Sequence, residues 1–333
     1  MSKKAFLSLA LLLVLSIAAS LLFGKYGFKF NDYLSYFGAL LSGENLKDYE
    51  VMQTLLLEIR LPRILACVLI GSSLAISGAA YQAMFVNPLV SPSILGMLSG
   101  AGFGAAVGMF FKLSEHLIQL STFAFGFLAV LVALGVSALY SRSGSVIVLV
   151  LGGVISGSLF TSLLSVLKYA ADPNDALPAI TYFLMGSLGF ASKSFIAISI
   201  LPMCVGVLLL LLSGKYLNAL SLGEDEAKSL GINTTRVKIF IILVATFVSA
   251  LSVTIAGIIG WIGLIVPHIA RFIFGANNQA VLAASAMIGA IFLLFCDNFS
   301  RIVFTFEIPI GIVTSLFGIP VFIIVLRHAK KGF

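Results

Sequence analysis

The chain predicts an all-α polytopic membrane protein of about ten transmembrane helices, and three observations carry that expectation. Hydrophobic residues make up 60% of the 333 and charged residues only 10%, against the roughly 25% charge usual in soluble domains. Apolar stretches near the roughly 20 residues that a bilayer core demands recur from end to end. Runs such as 239–258 and 310–326 are continuously apolar and rich in Leu, Ile and Gly, where a membrane barrel would alternate. The joints between runs are short and polar, so residues 1–333 read as a single transmembrane domain.

Spans are expected at residues 5–23, 55–85, 95–111, 117–140, 146–170, 195–212, 237–258, 260–269, 281–304 and 310–327. The first follows Lys3 and Lys4 and is long for the apolar part of a secretory signal, although Ala18-Ala19-Ser20 leaves a cleaved leader as the alternative. The third carries Gly96, Gly100, Gly104 and Gly108, a four-residue spacing that lines small residues along one face for close helix packing. Gly100-x-Gly102 is no dinucleotide loop, since neither a preceding strand nor a later ribose-binding acid stands in context. The eighth is too short to cross, and reads as a half-crossing buried in protein or as the tail of its neighbour. Asp297 and Arg301, four apart in the ninth, suggest an intrahelical pair. Glu307 and Pro309 open the tenth, as a helix start allows.

Ten crossings with the N-terminus inside put both termini in the cytoplasm. That topology leaves eleven basic residues inside against nine outside, and three acids inside against ten outside, in the direction of the positive-inside rule. The formal net charge of +7 then follows from topology, and no nucleic-acid partner is inferred. Two loops are long. Residues 24–54, on the outside, mix charges with Tyr26, Tyr33, Tyr36 and Tyr49, which suits an interfacial surface. Residues 213–236, on the inside, contain a short helix-prone piece from Ser221 to Gly231, closed by glycine. It reads either as a solvated connector or as a rigid knob seated in another subunit.

Arg60-Leu61-Pro62-Arg63 puts two guanidinium groups on one helical face. They read as headgroup anchors or as a docking site for the carboxylates of a soluble partner. Cys67, Cys204 and Cys296 lie in apolar runs and read as buried reduced thiols. His116, His268 and His328 are scattered, and no metal cluster or nucleophile-base pair is assembled from them. No phosphate-loop motif occurs, so ATP hydrolysis of that kind cannot reside here. No catalytic residue, metal site or cofactor is expected in this chain.

Taken together, Arg60-Leu61-Pro62-Arg63, Ile76-Ser77-Gly78-Ala79, Asn87-Pro88-Leu89, the stretch from Leu222-Gly223-Glu224 to Leu230-Gly231, Gly263-Leu264-Ile265-Val266-Pro267-His268 and Pro309-Ile310-Gly311 resemble the FecCD family of importer permeases. The match runs in order from about residue 55 to the C-terminus. The resemblance implies the cobalamin-permease-like fold of type II ABC importers, in a bacterial or archaeal plasma membrane. It implies a homodimer with two ABC ATPase subunits, which bind ATP and magnesium, and a periplasmic or lipid-anchored substrate-binding protein.

By the same resemblance, Arg60, Arg63 and Arg301 receive acids of the binding protein. Asn218, Leu222, Gly223, Glu224, Ala227, Leu230 and Gly231 belong to the ATPase-coupling segment, Asn87 and Leu89 to a cytoplasmic gate, and the fifth span lines the path. The implied cargo is a metal chelate: iron-siderophore first, then haem or cobalamin. Similar permeases carry molybdate or tungstate, which keeps an oxyanion as the alternative. A secondary transporter, one rival, would be expected to bury carboxylates at mid-membrane, and none stands in mid-span. An intramembrane enzyme, the other, would need a convergent His, Asp or Ser constellation that the sequence does not assemble.

Overall fold

The computed structural model describes residues 3–24, 28–43, 46–140 and 146–329, with backbone alone at Phe30, Phe190 and 326–329. Lys25, Tyr26, Glu44, Arg142, Lys330 and Lys331, together with the side chains of Arg327 and His328, therefore lie outside the described residues. Every regular element among the described residues is helical.

Helix α1 spans Lys3–Leu22. Residues 24–54, expected as a loop, instead hold α2 (Phe30–Ser42) and α3 (Glu50–Thr54), which a π-helical turn (Leu55–Arg60) joins to α4 (Leu61–Met84). The tyrosines noted there explain the difference: Tyr33 and Tyr36 are buried with Met52 and Leu56 in a small core of their own. Gly43, in the left-handed conformation at φ 69°, ends α2.

The third to fifth expected spans are α5 (Met97–Phe110), α6 (Glu115–Tyr140) and α7 (Val146–Ala170). A Cβ on Gly100 or Gly104 would lie 2.4 Å from the Phe125 oxygen or 2.3 Å from the Ser121 oxygen, so the glycine stripe sets the approach of α5 to α6. Gly96 departs from the stripe; it precedes α5 at φ 81° and sits against Gly157 of α7.

The chain then forms α8 (Ala176–Met185), an apolar helix absent from the expected spans. Ten residues, about 15 Å at the helical rise, are too few for a membrane-length window to detect. Next come α9 (Lys193–Leu212), α10 (Gly214–Leu220), α11 (Glu224–Ser229), α12 (Thr234–Ala256), α13 (Ile262–Phe274), α14 (Asn278–Ile302) and α15 (Ile310–Ala329). Cys67 and Cys296 are buried as expected, but Cys204 is exposed, because α9 buries its other face through Met203, Gly206 and Leu210. Among the described residues seven helices are long and apolar enough to cross a bilayer, and α5, α8, α13 and residues 310–325 of α15 are shorter apolar ones. The eighth expected span is therefore a helix of its own, longer than its apolar core suggested and separated from α12 by a break at Gly257.

Backbone at such breaks must be satisfied by protein. Ser187 N donates to the Ala256 carbonyl and Ile310 N to the Gly186 carbonyl, each at 2.8 Å, so the ends of α8 and α12 and the start of α15 close one another. Helix α4 is the centre of the bundle, with nineteen buried residues. Its glycines bring backbones together: a Cβ on Gly71 would fall 2.3 Å from the Gly289 oxygen, and one on Gly78 1.8 Å from the Gly263 oxygen. Packing this close replaces side-chain interdigitation with backbone contact.

Candidate functional site

Three contacts fix which helix ends lie together. Arg63, at the start of α4, meets Asp297 near the end of α14; Gln82, near the end of α4, meets Arg271 of α13; and Asn218 of α10 meets Asn278 at the start of α14. Helices α4 and α14 are thus antiparallel, with an arginine cluster at one end and α10 and α11 at the other.

At the first end, Asp297 is 1% exposed and bridges two guanidinium groups. Arg63 Nε donates to Asp297 Oδ1 at 2.8 Å and Arg63 Nη1 to Glu307 Oε2 at 3.0 Å. Arg301 Nε lies 3.0 Å from Asp297 Oδ2, poorly aligned for a hydrogen bond, while its Nη2 donates to Asn298 Oδ1 at 2.6 Å. Arg60 points elsewhere, donating at 2.6 Å to both the Leu21 carbonyl and the Tyr33 hydroxyl. Arg60 and Arg63, expected on one helical face, are therefore internally bonded and divided between two neighbours, Arg60 buried and Arg63 partly so. The wide π turn ending at Arg60 and the packing of α2 over it produce the division.

Chains of alternating charge satisfy buried ions that would otherwise cost several kcal/mol each. Of the four charged groups in this cluster, Asp297 included, the Glu307 carboxylate is the outermost, 36% exposed against 13% or less for the others.

At the opposite end, residues 85–96 leave α4 and turn back into the bundle. Val86 sits at φ 47°, a conformation that costs a β-branched residue about 1–3 kcal/mol. Asn87 Oδ1 accepts the Leu89 amide at 2.9 Å, an Asx turn, and Asn87 and Leu89 are both exposed. His268 Nε2 contacts the Pro88 carbonyl oxygen at 2.8 Å. Gln82 Nε2 donates to the Leu264 carbonyl at 3.1 Å, and Arg271 Nη1 donates to Gln82 Oε1 at 2.6 Å. Helix α13 thus clasps the candidate gate. Its own start is strained too, with Trp261 at φ 69°, and Trp261, Ser91, Pro92 and Leu74 border one cavity of about 180 Å³.

Sequence reasoning missed Gln82, His268 and Arg271 as partners of this loop. Polar side chains inside apolar runs were the available signal, but nothing in the spacing pairs residues nearly two hundred positions apart.

The candidate coupling segment spans the end of α10 and all of α11, the latter standing within the helix-prone piece 221–231. Gly223, at φ 127°, turns the chain between α10 and α11 and leaves Leu222 exposed, while Gly231 at φ 79° follows α11 beside exposed Leu230. Ala227 is fully buried and anchors α11. Asn218 receives the Asn278 amide at 2.7 Å and donates to Asn277 Oδ1 at 3.1 Å, and Asn278 Nδ2 donates to Ser221 Oγ at 3.0 Å. Glu224 is ion-paired with Lys238 of α12. The segment is thereby tied to two long helices, with Leu217 and Leu220 of α10 buried and Leu222 and Leu230 left exposed.

Comparison with known proteins fits this geometry. The molybdate import system permease protein of Haemophilus influenzae is 35% identical over 331 residues, 99% of this chain and 97% of that one. The hemin transport system permease protein of Yersinia pestis is 36% identical over 86% of this chain and 87% of its own length. Among solved structures, an inward-facing ABC transporter of metal-chelate type superposes with a TM-score of 0.87 at 35% identity, covering 98% of this chain and 99% of that one. The FecCD transport family model matches residues 12–328, and these relatives are membrane permeases of ABC importers, not enzymes, with ATP hydrolysis in a separate subunit. The chain therefore belongs to the FecCD transport family, as a multi-pass permease of the plasma membrane.

Proposed function

We propose that two copies of this chain form the translocation pathway of a binding-protein-dependent importer of metal chelates, iron-siderophore first, with haem or cobalamin as related cargo. The observation carrying this reading is the placement of an arginine cluster on buried Asp297 and of the α10–α11 segment, flanked by exposed Leu222 and Leu230, at opposite ends of the same long helices. The cluster end faces the substrate-binding protein, and α10 and α11 seat in two ABC ATPases, which supply ATP and magnesium chemistry. Both termini are then cytoplasmic.

Docking proceeds by exchange at Arg63. An acid of the binding protein displaces the half-exposed Glu307, while Asp297 keeps Arg63 and Arg301 neutralised beneath. Arg60 contributes by holding α1 and α2 in place around the site. Asn87 and Leu89 close the path at the ATPase end, released or held through His268 and Gln82. The exposed hydroxyls Ser158, Ser162 and Ser165 recur along one face of α7, which suits a wet path without fixed charge better than lipid.

An oxyanion cargo is the second reading, favoured by the molybdate permease at 35% identity over 99% of this chain. Affinity purification of the tagged chain in mild detergent tests both, by mass spectrometry of co-purifying subunits and of metal. A stoichiometric ATPase with iron or cobalt chelate supports the first reading; molybdenum or tungsten in the captured binding protein moves the cargo to an oxyanion. A partnerless chain under conditions that preserve ABC complexes would overturn the assembly. Glu307→Gln should tighten capture of the binding protein, and unchanged affinity would remove Arg63 from docking.

A further inference from the structure

A groove runs between α9 and α12 on the outside of the bundle. Its inner part is wholly apolar, bordered by Leu201, Val205 and Leu209 of α9 and by Leu243 and Phe247 of α12. Leu209 also borders a second hollow of about 410 Å³, which continues the groove past Leu212 and Phe240 to Tyr216 and Arg236. From Leu201 to Leu212 the groove is about 16 Å long at the helical rise, roughly one leaflet of a hydrocarbon core of about 30 Å. It is polar at one end only. A partner's transmembrane helix would call for a groove through both leaflets, whereas a lipid needs one leaflet and one polar end.

The charge at that end is positive. Arg236 borders the hollow, Lys215 precedes the bordering Tyr216 in the chain, both are exposed, and among the described residues no acid pairs with either. The nearby acids of α11 are partly spent, with Glu224 on Lys238 and Asp225 on Lys228, leaving Glu226. A guanidinium matches the paired oxygens of a phosphodiester, and basic residues at the membrane surface attract anionic headgroups. We propose that this groove binds one anionic glycerophospholipid per chain, with its headgroup at Lys215 and Arg236 and an acyl chain along Val205 and Leu209. Gly231 and Ile232 border the same hollow, so the lipid packs against the end of the α10–α11 segment and steadies it.

Native mass spectrometry of the delipidated full chain, titrated with phosphatidylglycerol or phosphatidylcholine of equal acyl length, reads this without any transport assay. One saturable phosphatidylglycerol per chain is expected, bound in preference to phosphatidylcholine. Lys215→Gln with Arg236→Gln should weaken phosphatidylglycerol by about 30-fold, at about 1 kcal/mol per basic residue. Val205→Trp, which fills the groove from an exposed position, should lower saturable binding of both lipids. Equal retention of the two lipids by the wild-type chain, or an intact preference in the neutralised variant, would overturn the proposal. A photo-cross-link from position 205 to a protein chain in native membranes would overturn it as well.

Discussion

The two ends of the bundle solve the same problem with different chemistry. Where α4 begins and α14 ends, polarity is ionic and buried: one carboxylate at 1% exposure is shared by two guanidinium groups. Where α14 begins, polarity is mostly neutral and shallow, a chain of amides and a hydroxyl through Asn218, Asn277, Asn278 and Ser221. Buried ions are costly to leave unmatched, so the first end tolerates few arrangements. Neutral hydrogen bonds are worth about 1 kcal/mol each net, so the second can give way locally without unfolding the bundle. On the proposed assembly the contrast has a use, with a firm receiving surface at one end and yielding joints at the other.

The largest effect that could break this comparison is Asp297→Ala. It removes the buried carboxylate shared by two guanidinium groups, leaving Arg63 to Glu307 and Arg301 to Asn298, and should cost about 3–5 kcal/mol, read as unfolding of the full chain in detergent. A loss below about 1 kcal/mol would mean that the cluster is effectively solvated and the two ends are alike. Between the ends, Gly78→Ala forces α4 from α13 and should cost about 1–3 kcal/mol, with faster hydrogen exchange along α13. Retention of wild-type stability there would show that the helices part easily.

At the shallow end, Asn218→Ala leaves the Asn278 amide without its acceptor and should cost about 1–2 kcal/mol. Hydrogen exchange should rise across 214–231 and stay unchanged around Arg63; a rise at both ends would merge them into one cooperative unit. The smallest effect is expected from Glu224→Gln, which removes a partly exposed ion pair worth up to about 1 kcal/mol. Its stability difference should fade in high salt, and a salt-independent loss would assign Glu224 a packing role instead.

The long spans were legible because continuous apolar runs over 20 residues report on the bilayer alone. Helix α8 was not, since ten mostly apolar residues between two polar joints satisfy no membrane-length window. Helix α2 hid behind its charges: Asp32 accepts the Lys29 amide at the helix start, while Tyr33 and Tyr36 supply a buried face among polar neighbours. The Asp297–Arg301 pair followed from its spacing. Its third and fourth members, Arg63 and Glu307, come from distant parts of the chain and could be found only through the fold. The same holds for Asn218, which the family resemblance marked but whose partners at 277 and 278 no local pattern reveals.

The glycine contacts along α4 have a mechanical consequence. Arg63 stands near one end of that helix and Gln82 near the other, and between them Gly71 and Gly78 rest on the backbones of α14 and α13. Side chains that change rotamer would absorb a small displacement; backbone against backbone has no such slack. A shift imposed at the arginine end therefore reaches the residues clasping the 85–96 loop with little lost motion, as through a drive shaft cut without backlash.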